Sequence, residues 1–260
     1  MDILDAYVTA APSGQSAIDI FDGEWSSKLP AGSGLVSRPG KAALFEDARI
    51  TWLSGLVGGF GNMRILELGP LEAGHTYMMH EGGAQSIVAV EANARAFLKC
   101  LCIKEIFQLT RARFLYGDAL EYLAVQNEPF DLCVASGILY HMNRPVEFLH
   151  GIARASDTIF LWTHYYDEEP LKRLGTGFGQ FEAPSEIESQ GRRYKASRRN
   201  YGEALRWQGF CGGGASSALW LTRESLFQAI ADIGFVTEAI GFDAPDHPNG
   251  PALALIARRK

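Results

Sequence analysis

The chain has 260 residues, of which 47% are hydrophobic and 21% charged, a balance typical of folded globular proteins and not of disordered or fibrous ones. Its formal net charge of -6 disfavours a broad nucleic-acid-binding surface, because neutralising phosphates requires clustered Lys and Arg. Asp2 and Asp5 lie where a signal peptide would carry basic residues, and no apolar run is long enough for a membrane span. We therefore expect a cytoplasmic protein.

The N-terminal 60 residues predict an extension before the first strand of a sheet. Stretches rich in Gly, Pro and Ser surround an aromatic segment, and helical spacing over residues 41–56 predicts a helix packed on the sheet. Trp25, Arg38 and Lys41 are candidates for a lid over a closed site, since a cation there could meet a carboxylate. The alternative is a Trp that anchors a loop and two solvated cations.

From residue 61 onward the chain alternates short apolar runs with helical patterns, which is typical of an α/β sheet. Arg64–Leu68 is the first predicted strand, and a turn containing Gly69 and Gly74 follows it. Glycine lets the backbone approach a ligand closely, because it has no Cβ and tolerates positive φ. Further strand units are predicted over residues 86–91, 113–120 and 129–136.

Polar residues end these strand units. Since parallel strands present their carboxyl ends at one edge of a sheet, we expect a shared ligand site formed by Glu67, Glu91, Asp118 and Ser136. Glu91 falls about 20 residues after the first glycine, the spacing at which ribose hydroxyls are commonly held, so a nucleoside is the predicted ligand. An ordinary strand-to-helix turn is the alternative for residues 69–74, and a helix cap is the alternative for Asp118.

Tyr140 and His141 follow the fourth strand unit and are the candidate catalytic residues. A His titrates near neutral pH and can act as a general base, and a Tyr hydroxyl can position a substrate. A packed or helix-capping His is the alternative. The fifth strand, residues 158–162, leads to His164 and Tyr165, which are second candidates for a base and a substrate contact.

Between residues 167 and 217 the strand-helix alternation lapses, and we predict an insertion. Its several Lys and Arg residues favour an anionic acceptor, with a solvated loop as the alternative. Residues 235–242 and 252–257 then predict an antiparallel pair of strands. The chain has four cysteines, at positions 100, 102, 133 and 211. No pair has the spacing of zinc ligands, so free thiols and no metal site are predicted.

Four segments together resemble the class I S-adenosylmethionine-dependent methyltransferases: Glu67-Leu68-Gly69, Val90-Glu91, Gly117-Asp118-Ala119 and Gly137-Ile138-Leu139-Tyr140-His141. The resemblance implies a Rossmann-like α/β fold over residues 61–260, with a doubly wound, mostly parallel seven-stranded sheet whose last strand is antiparallel. It also implies S-adenosylmethionine as the cofactor and the following cofactor-binding residues: Glu67, Gly69, Pro70 and Gly74 in the first turn, Glu91 and Ala92 after the second strand, Asp118 and Ala119 beside the adenine, and Ser136.

The first turn departs from the family pattern, which carries further glycines where this chain has Leu71 and Ala73. By the resemblance, this departure concerns the part of the turn that would bind the methionine end of the cofactor. A second, shorter resemblance links residues 21–27 and 137–149 to the branch that contains tRNA wobble-uridine carboxymethyltransferases.

The expected activity is methyl transfer to a small, anionic acceptor. A tRNA-modifying enzyme is the first alternative, and the acidic net charge counts against it. An NAD-dependent dehydrogenase is disfavoured because the second Gly of its fingerprint is missing. A cofactor-binding protein without catalytic activity is the third alternative. No oligomeric state is predicted.

Overall fold

The computed structural model describes residues 7–175, 177–207, 209 and 212–260. Cys211, predicted to be a free thiol, lies outside the described residues, whereas Cys100, Cys102 and Cys133 are free thiols. None of the helices in the described part of the chain combines the length and the apolar character that a membrane span requires.

The N-terminal extension contains more regular structure than its composition predicts. Its elements are α1 (Gly14–Asp19), β1 (Trp25–Ser27), β2 (Pro39–Ala42), a 3-10 turn at Leu44–Glu46 and α2 (Ala48–Val57). The helix predicted over residues 41–56 therefore begins later than expected. The cause is Asp47, whose carboxylate accepts a hydrogen bond from the Arg49 backbone and caps α2.

A seven-stranded sheet forms the centre of the molecule. Its strands are β3 (Arg64–Leu68), β4 (Ser86–Glu91), β5 (Ala112–Tyr116), β6 (Leu132–Ser136), β7 (Thr158–His164), β11 (Phe235–Ala244) and β12 (Ala252–Arg259). The spatial order is β11-β12-β7-β6-β3-β4-β5, and β12 is antiparallel to both neighbours. The predicted sheet and its reversed last strand are confirmed.

The core lies on both faces of this sheet because successive side chains of each strand point to opposite sides. In β6, Cys133 and Ala135 join the hydrophobic cluster on one face, and Leu132 and Val134 join the cluster on the other. The helices that cover the sheet are α3 (Gly74–Glu81), α4 (Ala94–Ile106), α5 (Ala119–Val125), α6 (Pro145–Ala155) and α8 (Arg223–Asp232). Burial on both faces explains the continuous apolar runs in the sequence.

The segment predicted as an irregular insertion is folded. It contains α7 (Glu168–Leu174) and an antiparallel sheet of β8 (Ser185–Ser189), β9 (Arg192–Asn200) and β10 (Ser217–Leu221). Tyr194 and Ala196 of β9 are buried in the main core, while Arg193 and Lys195, which alternate with them along the strand, are exposed. This alternation holds the small sheet against the domain, beyond the carboxyl end of β7.

Candidate active site

A cavity of about 490 Å³ lies at the carboxyl ends of the parallel strands. Between β3 and β6 the chain order of the strands reverses, and α/β sheets commonly bind ligands at such a point. Most of the predicted site residues line this cavity, namely Gly69, Pro70, Glu91, Ala92, Asp118, Ala119, Ser136, Tyr140 and His141. The sheet therefore brings together residues that the sequence spreads over four turns.

Glu91 ends β4 and is held in place by backbone amides. Its Oε2 accepts a hydrogen bond from Leu71 N at 3.1 Å, and its Oε1 accepts one from Asn93 N at 2.8 Å. Burial raises the pKa of this carboxyl group, and the backbone donors oppose that effect. A carboxylate has about four lone-pair sites, more than the backbone donors of Leu71, Ala92 and Asn93 occupy, so Glu91 can accept a hydrogen bond from a ligand.

Asp118 is both a helix cap and a cavity residue. Its Oδ1 accepts hydrogen bonds from Leu120 N at 2.8 Å and Glu121 N at 3.0 Å, which caps α5. The same residue lines the cavity. The two interpretations of Asp118, as a helix cap and as a residue of the ligand site, are therefore compatible.

Two residues of the first turn are not glycine although the family pattern has glycines at their positions. Leu71 and Ala73 have φ values of 55° and 60°, which lie in the left-handed region that favours glycine. The backbone thus takes a glycine-like course at those two positions, and the Leu71 amide still reaches Glu91.

Glu67 and Gly74 are not among the described residues that line the cavity. Glu67 is buried beneath the turn, where the Thr76 hydroxyl donates a hydrogen bond to it. Burial raises its pKa to about 7, and the nearby charge of Glu91 adds to that rise. Gly74 begins α3, and its Cα faces the backbone of Leu44, a residue that does line the cavity.

Replacing Gly74 by Ala is expected to destabilise the protein by about 1–3 kcal/mol, because overpacking forces the neighbouring backbone to move. A Cβ on Gly74 would lie 2.6 Å from the Leu44 carbonyl carbon, whereas a Cβ on Gly117 would meet nothing within 4 Å. Urea unfolding of the Gly74→Ala and Gly117→Ala variants measures the difference. Equal unfolding midpoints for the two variants would show that the contact with Leu44 is unimportant.

A charged cluster at the cavity was not predicted from the sequence. Arg49 on α2 donates from Nε to Asp47 Oδ1 at 3.0 Å, and its guanidinium lies 4.3 Å from the ring centroid of Trp162. His75 Nε2 is 2.8 Å from Asp47 Oδ2. Although burial opposes it, hydrogen bonds with His75 and Arg49 hold the pKa of Asp47 well below its usual range. Arg49, His75 and Trp162 all line the cavity.

Tyr140 and His141 lie in a 3-10 turn after β6, as the sequence placed them. His141 Nδ1 is 2.7 Å from the hydroxyl of Tyr201, in the segment between β9 and β10. Burial and the charges of Arg199 and His164 lower the pKa of His141 to about 3, so its imidazole is neutral at pH 7.

A second cavity of about 300 Å³ shares Tyr140 and His141 with the first. His164 lines it, with Nδ1 2.8 Å from the Gly250 carbonyl and its ring stacked 5.0 Å from Trp220. Burial lowers the pKa of His164 to about 4. Tyr165, the other second candidate, is instead buried in the core beside Arg223.

The three candidate lid residues match the alternative interpretation instead. The Trp25 side chain is 0% exposed, and its Nε1 donates to the Ile18 carbonyl at 2.9 Å. Arg38 forms an exposed ion pair with Asp22, and Lys41 is exposed. Trp25 is therefore a core residue of the extension, and the two cations lie at the surface.

Comparisons with known proteins agree with this geometry. No family model matches the chain. A tRNA U34 carboxymethyltransferase of Dichelobacter nodosus is 32% identical over 92 residues, which cover 35% of this chain and 28% of that relative. The alignment therefore spans less than a third of the relative's own length.

Solved structures match over far more of the chain. The N-terminal domain of EvdMO1, solved in the presence of SAH and D-fucose, is 21% identical over 95% of both chains, with a TM-score of 0.68. An S-adenosylmethionine-dependent methyltransferase from Mesorhizobium loti is 17% identical over 84% of this chain and 100% of its own, with a TM-score of 0.59. The chain has the fold of class I S-adenosylmethionine-dependent methyltransferases, as its motifs predicted.

Proposed function

We propose that this protein transfers a methyl group from S-adenosylmethionine to a small-molecule acceptor. The observation that carries the proposal is the pair of cavities that meet at Tyr140 and His141. The larger cavity has the strand-end carboxylates Glu91 and Asp118 in its wall, which suits a nucleoside with hydroxyl and amine donors. The smaller cavity has room for a separate acceptor.

In this proposal, residues of the larger cavity contact different parts of the cofactor. Glu91 binds the ribose hydroxyls, Asp118 and Ala119 flank the adenine, and Gly69 and Pro70 lie against the methionine end. Arg49, which reaches the same cavity from α2, provides a cation for the carboxylate of the methionine group. The cofactor supplies an electrophilic methyl group attached to a sulfonium.

Methyl transfer requires alignment of the nucleophile and removal of its proton where it carries one. His141 is the group placed for the second task. If Nδ1 donates its proton to the Tyr201 oxygen, Nε2 carries a lone pair and can accept the acceptor's proton. The low pKa of His141 keeps the ring unprotonated between turnovers. A negatively charged acceptor would raise that pKa and make His141 a stronger base.

This assignment predicts the tautomer of His141. Nitrogen-15 NMR of the imidazole is expected to show a neutral ring protonated on Nδ1 from pH 8 down to pH 5, because its pKa is about 3. The Tyr201→Phe variant removes the hydrogen-bond acceptor and is expected to lose the fixed tautomer. A wild-type ring protonated on Nε2 would instead make His141 a hydrogen-bond donor and rule out its role as a base.

Calorimetric titration of the purified protein tests the proposed cofactor. S-adenosylmethionine and S-adenosylhomocysteine are expected to bind with micromolar affinity, and NAD is expected not to bind. Tighter binding of NAD would overturn the proposal and favour an NAD-dependent dehydrogenase. Binding of the sulfur nucleosides without methyl transfer to any compound in an acceptor screen would favour a cofactor-binding protein that lacks catalytic activity.

The partial match to a tRNA U34 carboxymethyltransferase keeps tRNA as a second candidate acceptor. Surface charge counts against it, because several arginines of β9 are paired with carboxylates. Arg192 pairs with Asp232 at 2.8 Å, and Arg193 lies 3.5 Å from Glu186. Electrophoretic mobility shifts with unmodified tRNA decide between these acceptors: salt-sensitive binding at physiological ionic strength would favour tRNA.

A further inference from the structure

Arg199 at the second cavity differs from the other arginines of β9 in its partners. Arg192, Arg193 and Arg198 each form an ion pair with an Asp or Glu. In the part of the chain that the structure describes, no carboxylate forms an ion pair with Arg199, whose Nε donates to the amide oxygen of Gln180 at 3.2 Å. Its guanidinium is partly buried and faces aromatic rings, with its central carbon 5.0 Å from the Trp220 centroid and 5.6 Å from that of Phe181.

A partly buried guanidinium without an anionic partner is unusual, because removing a charge from water costs free energy unless a counter-charge compensates it. Cation–π contacts supply part of this compensation. Burial lowers the pKa of Arg199, but a guanidinium remains protonated in proteins. The site therefore carries a fixed positive charge that is available to a ligand.

The other groups around the cavity are neutral at pH 7. Burial lowers the pKa values of His141 and His164 to about 3 and about 4. The remaining described lining consists of apolar, aromatic and uncharged residues, among them Tyr140, Leu171 and Phe181. The cavity thus presents one cation among neutral aromatic, apolar and polar residues. A planar carboxylate suits this arrangement, because it matches the fork of hydrogen-bond donors on a guanidinium.

Building on the proposed function, we propose that the acceptor is a small aromatic carboxylic acid whose carboxylate binds Arg199. Its ring lies against Phe181 and Tyr140, and a hydroxyl group on that ring faces His141. The hydroxyl oxygen forms a bond to the methyl carbon as the bond from that carbon to sulfur breaks. The hydroxyl proton passes to His141 Nε2 and then to water.

Matched acids and amides test this assignment. Hydroxybenzoate and hydroxyphenylacetate isomers, each paired with its neutral amide, are titrated into protein saturated with S-adenosylhomocysteine. At least one acid is expected to bind about 10- to 100-fold more tightly than its amide, the range for a charge-assisted hydrogen-bonded pair. Arg199→Gln is expected to abolish the preference, and Arg199→Lys to retain part of it. Arg198→Gln, which alters the neighbouring arginine that pairs with Glu182, is the matched control and keeps the preference.

The outcomes separate this inference from the proposed function. Failure of the wild-type protein to bind S-adenosylhomocysteine would overturn the methyltransferase proposal itself. Normal binding of that nucleoside with equal affinity for acids and amides, or with no binding of any acid, would overturn the role of Arg199 alone. If folded Arg199→Gln still binds the acid more tightly than the amide, the role of Arg199 is also overturned. The Arg199→Lys variant provides a folded test if Arg199→Gln does not fold.

Discussion

The Glu91→Gln variant is expected to bind S-adenosylhomocysteine at least about 100-fold more weakly than the wild-type protein, because each hydrogen bond to a charged group contributes about 1.5–3 kcal/mol. Gln has the same shape but offers one acceptor oxygen in place of two. Both oxygens of Glu91 already accept backbone N–H groups, from Leu71 and Asn93. The single amide oxygen of a glutamine therefore cannot accept hydrogen bonds both from the two backbone N–H groups and from the ribose hydroxyls.

Calorimetry measures the affinity, and a thermal melt establishes that the variant is folded at the titration temperature. Glu121→Gln is the matched control, since Glu121 lies in the first turn of α5 and its side chain is 74% exposed. The control is expected to bind like the wild-type protein. If folded Glu91→Gln binds within about threefold of the wild type, a difference below 1 kcal/mol, Glu91 does not hold the ribose.

The parallel sheet could be predicted from the sequence because its strands are buried on both faces and appear as apolar runs. Leu132–Ser136 is an example, and the antiparallel strand Ala252–Arg259 shows the same pattern. The carboxylates that end such runs, Glu91 and Asp118, could be placed at one edge because parallel strands share their direction. This inference needs only the shared direction of the strands, and it placed Glu91, Asp118 and Ser136 in the wall of the cavity.

Arg49 and Arg199 could not be placed in the same way. Arg49 reaches the cavity from a helix that precedes the sheet, and its ring partner Trp162 lies on β7, far away in the sequence. Arg199 belongs to a segment whose many cations favoured an anionic acceptor, with a solvated loop as the alternative. The alternation of buried Tyr194 and Ala196 with exposed Arg193 and Lys195 was the available sign of a strand. Which arginine lacks a carboxylate depends on cross-strand contacts that a sequence pattern does not specify.

The N-terminal extension was predicted to contain turns and one helix, and its attachment to the turn at residues 69–74 was not predicted. Glu72 in that turn accepts hydrogen bonds from Ser26 N at 3.0 Å and Ser27 N at 2.8 Å. Lys99 on α4 lies 2.9 Å from Glu72 Oε1 and donates to the Glu24 carbonyl at 2.6 Å. The Lys99 and Glu72 side chains are 8% and 1% exposed. One buried ion pair therefore joins the extension, the turn and α4.

The Lys99→Met variant is expected to lose about 3–5 kcal/mol of unfolding free energy, because it leaves Glu72 as a buried charge without its cation. Urea unfolding measures the loss. Adding Glu72→Gln is expected to recover part of the loss, since the double variant no longer buries an unpaired charge. Lys104→Met, on the same helix but outside this cluster, is the control for the change from Lys to Met and is expected to unfold near the wild-type midpoint.

Because Glu72 lies in the turn beside the cavity, Lys99→Met is also expected to weaken binding of S-adenosylhomocysteine, while Lys104→Met is not. Equal unfolding midpoints for the two variants would mean that the pair adds nothing to stability. A destabilised Lys99→Met that binds the nucleoside normally would mean that the turn keeps its shape without the extension. The two measurements together decide whether the extension is only attached to the domain or also shapes the cofactor site.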